Sequence, residues 1–357
     1  MHPPLEKRIH AFIELGRKLK KITITETHNN LSVAERNLLN EVAVSHLKNP
    51  WFTPYNVMSA LAGLSDMLKE NKIRAWIAKY KIDDLAPPLT IAVIMAGNLP
   101  MVGFHDFMCV LLSGNHFLGK LSGQDKELPV KIAELLIETE PGFKPMISFT
   151  DQRISEFDAV IATGNNNTSR YFEYYFGRYP HIIRRNRNSM AILSETEKEK
   201  DLEKISDDIF HFFGMGCRSV SLLLIHKGFD IQKLAESLKK WEHIKEHPKY
   251  FNNYEYQKAV MLVNQIEHID TGFCLLRESQ SMASPLSVIN YIWYETIDEV
   301  LHYINRQSDN IQCIVAGDKP DLHGHTKVQP GTAQKPGPSD YADDIDTLEF
   351  LLQLKKE

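Results

Sequence analysis

The segment HFFGMGCRSVS, residues 211–221, places Cys217 directly after Gly216, with Gly214 three residues before it and an apolar run after it. A cysteine thiolate attacks carbonyl carbons, and glycines let a ligand or another backbone approach closely. The spacing of apolar residues upstream predicts an amphipathic helix over 197–213 that Gly214 and Gly216 end. Cys217 is therefore predicted at a helix-to-strand junction, either as an exposed nucleophile or as a buried thiol packed like a small hydrophobe.

Asn98, within AGNLPMVGFHDF, follows a predicted buried strand and precedes Pro100. Its amide is expected at the carboxyl end of that strand, where open α/β sheets bind their ligands. An amide N–H there can donate a hydrogen bond to an oxyanion, although turn chemistry alone also favours asparagine. Asn98 is the second candidate catalytic residue.

Two more polar segments follow predicted strands. GNHFLGKLS contains Lys120 and Ser122, and ATGNNNTSR contains Gly164, Asn165 and Thr168. A glycine followed by small polar residues and a helix suits phosphate binding through backbone N–H groups. Because no GxGxxG or Walker motif is present, this turn taken by itself is a weak signal.

A parallel α/β sheet is needed to bring these strand ends together. Residues 1–86 show helical patterns, with a capping box at Ser32 and Glu35 and a helix start at Thr53-Pro54. Beyond them, apolar runs alternate with helical patterns near 103–113, 127–139, 230–243, 252–268 and 296–306. The predicted strands are LTIAVIMAG (89–97), HFLGKL (116–121), PMISF (145–149), DAVIATG (158–164), SVSLLLIH (219–226), LSVINYIWY (286–294) and IQCIVAG (311–317). Residues 331–344 are predicted to form a loop. The segment LEFLLQL, which follows this loop, fits either a strand or a helix.

Composition narrows the functional classes. The 357 residues are 43% hydrophobic and 24% charged, as expected for a globular chain with one large core or two to three lobes. The net charge of -5 argues against a broad nucleic-acid surface. Four cysteines without a CxxC pair predict neither a disulfide framework nor a zinc site and favour a reducing compartment. With no signal peptide and no run of about 18 apolar residues, a cytoplasmic protein without an integral membrane segment is predicted.

Taken in order, these motifs resemble the aldehyde dehydrogenase superfamily. The closer resemblance is to its acyl-CoA and acyl-protein thioester reductases, of the bacterial luminescence fatty acid reductase type. AGNLP resembles the superfamily's asparagine-containing strand end, and GNHFLGKLS the segment whose lysine contacts the adenosine ribose or its phosphate. ATGNNNTSR resembles the pyrophosphate turn, and GMGC the nucleophile motif GQxC, with Met215 in place of glutamine. The superfamily pattern covers about residues 88–318.

The resemblance implies an aldehyde-dehydrogenase-like α/β fold with a Rossmann-type cofactor domain, an α/β catalytic domain and a helical N-terminal region. It divides the chain into that helical region (1–86), a nicotinamide cofactor-binding domain (87–207) and a catalytic domain (208–330). Residues 331–357 are then a C-terminal segment that packs back or oligomerises.

The resemblance also implies the activity: NADPH-dependent reduction of an acyl thioester, with a fatty acyl chain, to the aldehyde through an acyl-cysteine intermediate. Cys217 is the implied nucleophile, and Asn98 and the Cys217 backbone N–H stabilise the oxyanion. The implied cofactor-binding residues are Lys120, Ser122, Gly164, Asn165, Thr168 and Glu278. A lysine point charge at Lys120 favours NADPH over NADH. No metal is required, and the HGH segment at 323–325 supplies too few ligands for one.

Two departures from the superfamily pattern carry information. Hydrolytic members have a water-activating glutamate in an ELGG segment, where this chain has Arg184-Arg185-Asn186-Arg187. Loss of that base favours thioester reduction over oxidation to an acid.

The basic stretch 178–189, with Arg170, is interpreted either as a phosphate contact or as structural ion pairs. Glu278 is the nearest match to the glutamate that holds the nicotinamide ribose, but its spacing to Pro285 differs from the motif.

The implied acyl donor is acyl-CoA or an acyl-carrier protein, and the resemblance suggests an acyl-protein synthetase as a partner. Members pair through a C-terminal strand, which favours a homo-oligomer and a strand for LEFLLQL. Two alternatives stay open: an acyl-phosphate reductase of the same superfamily, and a non-reducing acyl-transfer or nucleotide-binding partner protein.

Overall fold

A computed structural model describes residues 2–24, 30–164, 166–317, 322 and 326–354. The chain divides into two compact units. Unit 1 consists of Met1–Arg185 and Lys335–Glu357, and unit 2 of Asn186–Gln334. Unit 2 is thus continuous in sequence, whereas unit 1 is built from two separated segments.

Unit 1 begins with four helices: α1 (Leu5–Ile24), α2 (Val33–Lys48), α3 (Pro54–Met67) and α4 (Glu70–Ile77). The predicted capping box begins α2, because Ser32 Oγ accepts the Glu35 N–H at 3.2 Å and the Glu35 carboxylate accepts the Ser32 N–H at 2.6 Å. The Thr53 side chain caps α3 ahead of Pro54. Both predicted helix starts are confirmed.

The rest of the first segment of unit 1, up to Arg185, contains a five-stranded sheet. Its elements are β1 (Thr90–Ile94), α5 (Phe104–Leu112), β2 (His116–Lys120), α6 (Glu127–Thr139), β3 (Ile147–Thr150), β4 (Ala159–Thr163), α7 (Asn166–Phe176) and β5 (His181–Arg184). The strands lie in the order β3-β2-β1-β4-β5, and all of their pairings are parallel. The strand order reverses between β1 and β4, and parallel sheets bind ligands at the carboxyl ends of strands at such a reversal.

Unit 2 contains a seven-stranded sheet. Its elements are β6 (Asn188–Leu193), α8 (Glu199–Phe210), β7 (Val220–His226), α9 (Ile231–Leu238), α10 (Pro248–Val263), β8 (Ile269–Asp270), β9 (Leu275–Glu278), β10 (Val288–Tyr294), α11 (Ile297–Gln307), β11 (Ile311–Val315) and β12 (Lys327–Val328). The order is β12-β11-β6-β7-β10-β9-β8, and only the short β8–β9 pairing is antiparallel. Strand β7 therefore lies in the centre of this sheet.

The division between the two units falls between residues 185 and 186. Strand β6 pairs with β7 and β11, so the chain enters the second sheet at Asn188. Residues 335–357 belong to unit 1, and the predicted domain bounds, including a segment 331–357 that packs back or oligomerises, stay predictions. The cofactor-binding and catalytic roles of the two segments stay predictions.

The segment LEFLLQL forms a helix, α12 (Thr347–Gln353), so its prediction as a strand was wrong. The Asp346 side chain accepts the Glu349 N–H at 2.9 Å and caps this helix. Leu348, Leu351 and Leu352 are buried in the core of unit 1. The i, i+3, i+4 spacing of these leucines gives one apolar face that packs on α5, which is why the helical periodicity prevails.

Arg184 connects α12 to α5 through a buried ion pair. Its guanidinium donates to both carboxylate oxygens of Asp106, at 2.6 and 2.8 Å, and to Thr347 Oγ1 at 2.9 Å. Arg184 is 4% exposed and Asp106 5%. Burial lowers the Arg184 pKa, but the neighbouring Asp106 outweighs burial, so the Arg184 pKa is raised and the guanidinium is charged. This part of the basic stretch is structural.

We expect Arg184→Ala to lower the free energy of unfolding by about 3–5 kcal/mol, because it leaves the Asp106 carboxylate buried without its partner. Arg185→Ala is the matched control. The Arg185 side chain is 63% exposed and pairs with Glu173, so its loss should cost less than about 1 kcal/mol. Urea unfolding of both variants measures the difference, and equal destabilisation would contradict the structural role of Arg184.

Candidate active site

The polar residues predicted at strand ends lie along one edge of the five-stranded sheet. Lys120 is in register with Ile94 of β1, and Ile94 with Ala162 of β4, so β1, β2 and β4 end side by side. Ser122 and Gly164 follow the ends of β2 and β4 within two residues, Asn98 lies in the loop after β1, and Thr168 lies in the first turn of α7. The structure thus brings the predicted residues of unit 1 to one edge, except Asn165, which lies outside the described residues.

Two neighbouring loops form this edge, and we name them by residue: the Asn98 loop (95–103) and the Lys120 loop (120–126). The Met95 N–H donates to the Lys120 carbonyl at 3.1 Å. A Cβ at Gly97 would overlap Ser122 Oγ, so only glycine permits this approach of the two loops. Asn98 itself is exposed at the tip of its loop.

Lys120 is held by the end of the next strand. Its Nζ donates to the Asp151 carbonyl, and the Asp151 carboxylate pairs with Lys126 at 3.2 Å. Beyond β4, a Cβ at Gly164 would lie 2.9 Å from Phe172 and 3.0 Å from Thr168, which explains a glycine ahead of α7. The edge therefore presents an amine, a hydroxyl and the N-terminus of an 11-residue helix, a donor set that suits phosphate groups.

The other arginines of the basic stretch make protein contacts. Arg185 pairs with Glu173 of α7, Arg187 donates to the Ile311 carbonyl at 3.1 Å, and Arg178 donates to Tyr179. These contacts favour the structural interpretation of residues 178–189.

Cys217 lies in a turn of unit 2 immediately before the central strand β7. The Ser219 N–H donates to the Gly216 carbonyl at 2.9 Å, and the Gly216 N–H donates to Ser219 Oγ at 3.2 Å. Ser189 Oγ of β6 donates to the Cys217 carbonyl at 2.9 Å. These bonds fix the backbone on both sides of Cys217, while its side chain is exposed. The exposed alternative of the sequence prediction is the one the structure adopts.

The chain reaches this turn through three successive residues with left-handed backbone. Phe212, Phe213 and Gly214 have φ angles of 53°, 59° and 76°. Side-chain-bearing residues adopt such angles only where packing determines them. The Phe213 ring lies 4.5 Å from the His247 ring and 6.0 Å from Tyr250, which holds it against α10. Helix α8 consequently ends at Phe210, before the glycines that the sequence predicted as its end.

A short segment at 331–334 packs against the Cys217 turn. Both carboxylate oxygens of Asp208, which is 1% exposed, accept backbone N–H groups, from Gly331 at 2.6 Å and Ala333 at 2.9 Å. The Arg218 Nε donates to the Ala333 carbonyl, and Gln334 Nε2 donates to Ser219 Oγ at 3.0 Å. Asp208 therefore anchors the segment that holds the turn from one side.

The four cysteines differ sharply in their surroundings. Cys109, Cys274 and Cys313 are 0% exposed, whereas Cys217 is exposed, and none of the four is in a disulfide. Burial raises the pKa of Cys109 well above its usual range and that of Cys274 to about 12. A thiol must be both accessible and ionised to react with an electrophile.

We expect iodoacetamide to label the folded protein at Cys217 and to leave the other three cysteines unmodified. With a pKa of about 12, only about one Cys274 side chain in ten thousand is a thiolate at pH 8. Intact-mass measurement and peptide mapping identify the labelled residue, and labelling in urea supplies the four-site control. Equal labelling of Cys109 and Cys217 in the folded state would contradict this assignment.

Glu278 ends β9 in unit 2 and is exposed. The HGH segment at 323–325 lies outside the described residues. Within the described residues there is no cluster of three or more potential metal-ligating side chains, and none of the described helices is long and apolar enough to cross a membrane.

Sequence reasoning missed two buried carboxylates near the candidate residues. Asp208 lies between Ile205 and Ile209 on the apolar face of α8, and a lone acidic residue on such a face is a signal that could have been used. Asp125, 4% exposed, lies three residues after Ser122 and accepts the Met101 N–H at 2.7 Å. Its sequence context, GQDKE, gives no indication of burial.

Comparison with known proteins identifies a matching family and solved structures with a similar fold. The family model described as Acyl-CoA reductase (LuxC) matches residues 17–282. A search of curated proteins gives no match. The chain is similar to a mutant of Thermus thermophilus 1-pyrroline-5-carboxylate dehydrogenase, with a TM-score of 0.63 and 14% identity over 98% of this chain and 83% of that one.

Two further solved structures give the same fold. Aldehyde dehydrogenase 21 from Physcomitrella patens, solved with its reaction product succinate, has a TM-score of 0.67 and 10% identity over 98% of this chain and 87% of its own. The NAD+ complex of an aldehyde dehydrogenase from Bacillus cereus has a TM-score of 0.61 and 12% identity over 90% and 73%. The predicted aldehyde-dehydrogenase-like α/β fold is confirmed.

Proposed function

Because the chain belongs to the acyl-CoA reductase (LuxC) family, we propose that it reduces a fatty acyl thioester to the aldehyde, with NADPH as the reductant and Cys217 as the nucleophile. Family membership and fold support acyl reduction to an aldehyde. The observation that carries the finer proposal is the exposure of Cys217 on a fixed turn before the central strand β7, within the matched residues.

The first half-reaction transfers the acyl group to the enzyme. The Cys217 thiolate attacks the thioester carbonyl carbon, and the carbonyl electron pair moves onto oxygen. The Asn98 amide and the Cys217 backbone N–H donate hydrogen bonds to this oxyanion. Its collapse breaks the bond to the CoA or carrier sulfur, which leaves as a thiol after taking up a proton, and the acyl group stays on Cys217.

The second half-reaction releases the aldehyde. When bound at the edge of the five-stranded sheet, a reduced nicotinamide would supply a hydride. The acyl carbon held on Cys217 would take up that hydride and become a hemithioacetal. Cys217 is then the leaving group, because collapse of the hemithioacetal regenerates its thiolate and frees the aldehyde. The chain has Arg184-Arg185-Asn186-Arg187 in place of a water-activating glutamate, which supports an acyl-enzyme that avoids hydrolysis.

The cofactor-binding proposal rests on the donor set at the edge of the five-stranded sheet. Lys120, Ser122, Gly164, Asn165 and Thr168 would hold the adenosine and phosphate groups, and Glu278 would hold the nicotinamide ribose. The amine at Lys120 favours the additional phosphate of NADPH.

We expect Lys120→Ala to weaken binding of NADPH more than binding of NADH. Fluorescence titration of the reduced nicotinamide measures both affinities without turnover, and an equal loss for the two would count against this role.

Acyl-CoA or an acyl-carrier protein is the proposed donor, and an acyl-protein synthetase is the proposed partner of a homo-oligomeric enzyme. The absence of disulfides among the four cysteines supports a reducing, cytoplasmic setting. These points stay predictions.

The deciding experiment mixes the protein with NADPH and a panel of acyl-CoAs and follows nicotinamide absorbance and aldehyde formation. Consumption of NADPH that depends on chain length and yields aldehyde supports the proposal and gives the substrate range. Turnover with acyl phosphates alone would identify an acyl-phosphate reductase. Acylation of Cys217 without NADPH consumption would identify an acyl-transfer partner, and no acylation would remove the proposed mechanism.

A further inference from the structure

Asp125 is buried, and its carboxylate accepts a hydrogen bond from Met101, a residue with an unfavourable backbone conformation. One of the carboxylate oxygens, Oδ2, accepts the Met101 N–H at 2.7 Å, and the other, Oδ1, has no hydrogen-bond partner among the described residues. Met101 has a φ angle of 55° and is itself buried. A residue with a side chain adopts this left-handed conformation only where its surroundings determine it, and here the Asp125 bond supplies part of that determination.

The Met101–Asp125 bond adds to two other links between the Asn98 loop and the Lys120 loop. The first is the bond from the Met95 N–H to the Lys120 carbonyl, and the second is the close approach of Gly97 and Ser122. Asp125 is also fixed within its own loop, because its N–H donates to the Ser122 carbonyl at 3.2 Å. The exposed Asn98 thus lies on a loop that is attached to its neighbour on both sides.

We propose that Asp125 is a positioning residue: by accepting the Met101 N–H it fixes the Asn98 loop to the Lys120 loop and so sets the position of the Asn98 amide for the oxyanion. The functional part of this inference rests on the proposed function. Asp125 touches neither substrate nor cofactor and acts through Asn98.

Because the Asp125 pKa is about 7, the strength of the Met101–Asp125 hydrogen bond is expected to depend on pH near neutrality. Burial raises the Asp125 pKa to about 7, the Met101 bond opposes this rise, and the nearby Glu41 adds to it. Glu41, on α2, pairs with Lys48 at 3.4 Å, and Lys48 lies 3.6 Å from Glu127 at the start of α6. As the pH rises through about 7, Asp125 becomes a carboxylate, and a charged acceptor binds the Met101 N–H more strongly than a neutral acid does.

The test compares Asp125→Ala and Asp125→Asn with Asp158→Asn. Asp158 is a matched control because its carboxylate accepts the Thr90 N–H at 2.7 Å, at the opposite end of β1. We expect Asp125→Ala to slow single-turnover acylation of Cys217 by acyl-CoA about 100-fold, the cost of a small misplacement of a reacting group. NADPH affinity, measured by fluorescence, should change little in all three variants and shows that each is folded.

Asp125→Asn keeps an acceptor oxygen but cannot ionise. The ratio of the wild-type to the Asp125→Asn acylation rate should therefore rise from about pH 6 to about pH 8, whereas the ratio for Asp158→Asn should stay constant. A wild-type acylation rate in Asp125→Ala, or a constant ratio for Asp125→Asn, would overturn the inference.

Hydrogen exchange at the Met101 amide tests the structural part without any substrate. Protection of this amide should be lost in Asp125→Ala and kept in Asp158→Asn. Unchanged protection in Asp125→Ala would overturn the inference even if acylation were slower. If the wild-type protein is not acylated at all, the proposed function fails, and the exchange result still decides whether Asp125 holds the loop.

Discussion

Replacing Cys217 with alanine is expected to lower the rate of acyl-CoA reduction by at least about 10,000-fold, because loss of a nucleophile removes the covalent pathway altogether. Without NADPH, the wild-type protein should gain one acyl group per chain when acyl-CoA is added, and the Cys217→Ala variant should gain none. Intact-mass spectrometry before and after hydroxylamine treatment measures this acylation.

Cys313→Ala is the sharpest control for that loss. Cys313 lies in the same hydrogen-bonded group, with its Sγ 3.1 Å from the Ser189 hydroxyl that holds the Cys217 carbonyl. Because Cys313 is 0% exposed, its thiol is not accessible to substrate, and the variant should retain acylation and reduction. Wild-type turnover by Cys217→Ala, or equal loss in the two variants, would refute Cys217 as the nucleophile.

The second large effect is expected for Asn98→Ala. Removing one oxyanion donor typically costs about 100- to 1,000-fold in rate, so acylation of Cys217 and reduction should slow together by that factor. Binding of NADPH should stay nearly unchanged, since the amide acts on the developing charge of the substrate. Asn310→Ala is the control, because Asn310 is also exposed and its side chain donates a hydrogen bond to Gln307.

Stopped-flow acylation and nicotinamide fluorescence separate the two quantities for Asn98→Ala. A variant that binds NADPH poorly but acylates at the wild-type rate would move Asn98 from the oxyanion to the cofactor. A wild-type rate in both measurements would leave the residue with a turn-forming role only.

Much of the fold was predictable because its elements carry simple patterns. The runs that form β1, β2 and β4 are short, apolar and bounded by polar turns, and α6 begins and ends at the predicted residues 127 and 139. Strands β5 and β6 escaped prediction because HIIRRNRNSMAIL is interrupted by arginines. Burial of Arg184 depends on Asp106, 78 positions away, and no local pattern reveals such a partner.

The placement of the candidate residues near strand ends and in a turn was predictable, but their backbone conformation was not. The glycines around Cys217 indicated an accessible turn, and the turn is where the sequence placed it. The left-handed Phe212 and Phe213 could not be predicted, because aromatic residues avoid that region unless tertiary packing against α10 holds them there. The roles of Asp125 and Asp208 likewise depend on contacts with segments distant in sequence.

The split of unit 1 has a consequence for synthesis on the ribosome. All of unit 2 is translated before Thr347 and the leucines of α12, so unit 2 can fold as a continuous piece while the α12-binding face of α5 is still bare. During that interval the nascent chain exposes apolar surface. Arg184 also lacks the hydrogen bond that it donates to Thr347 in the folded protein. Transiently exposed apolar surface makes a nascent chain prone to aggregation.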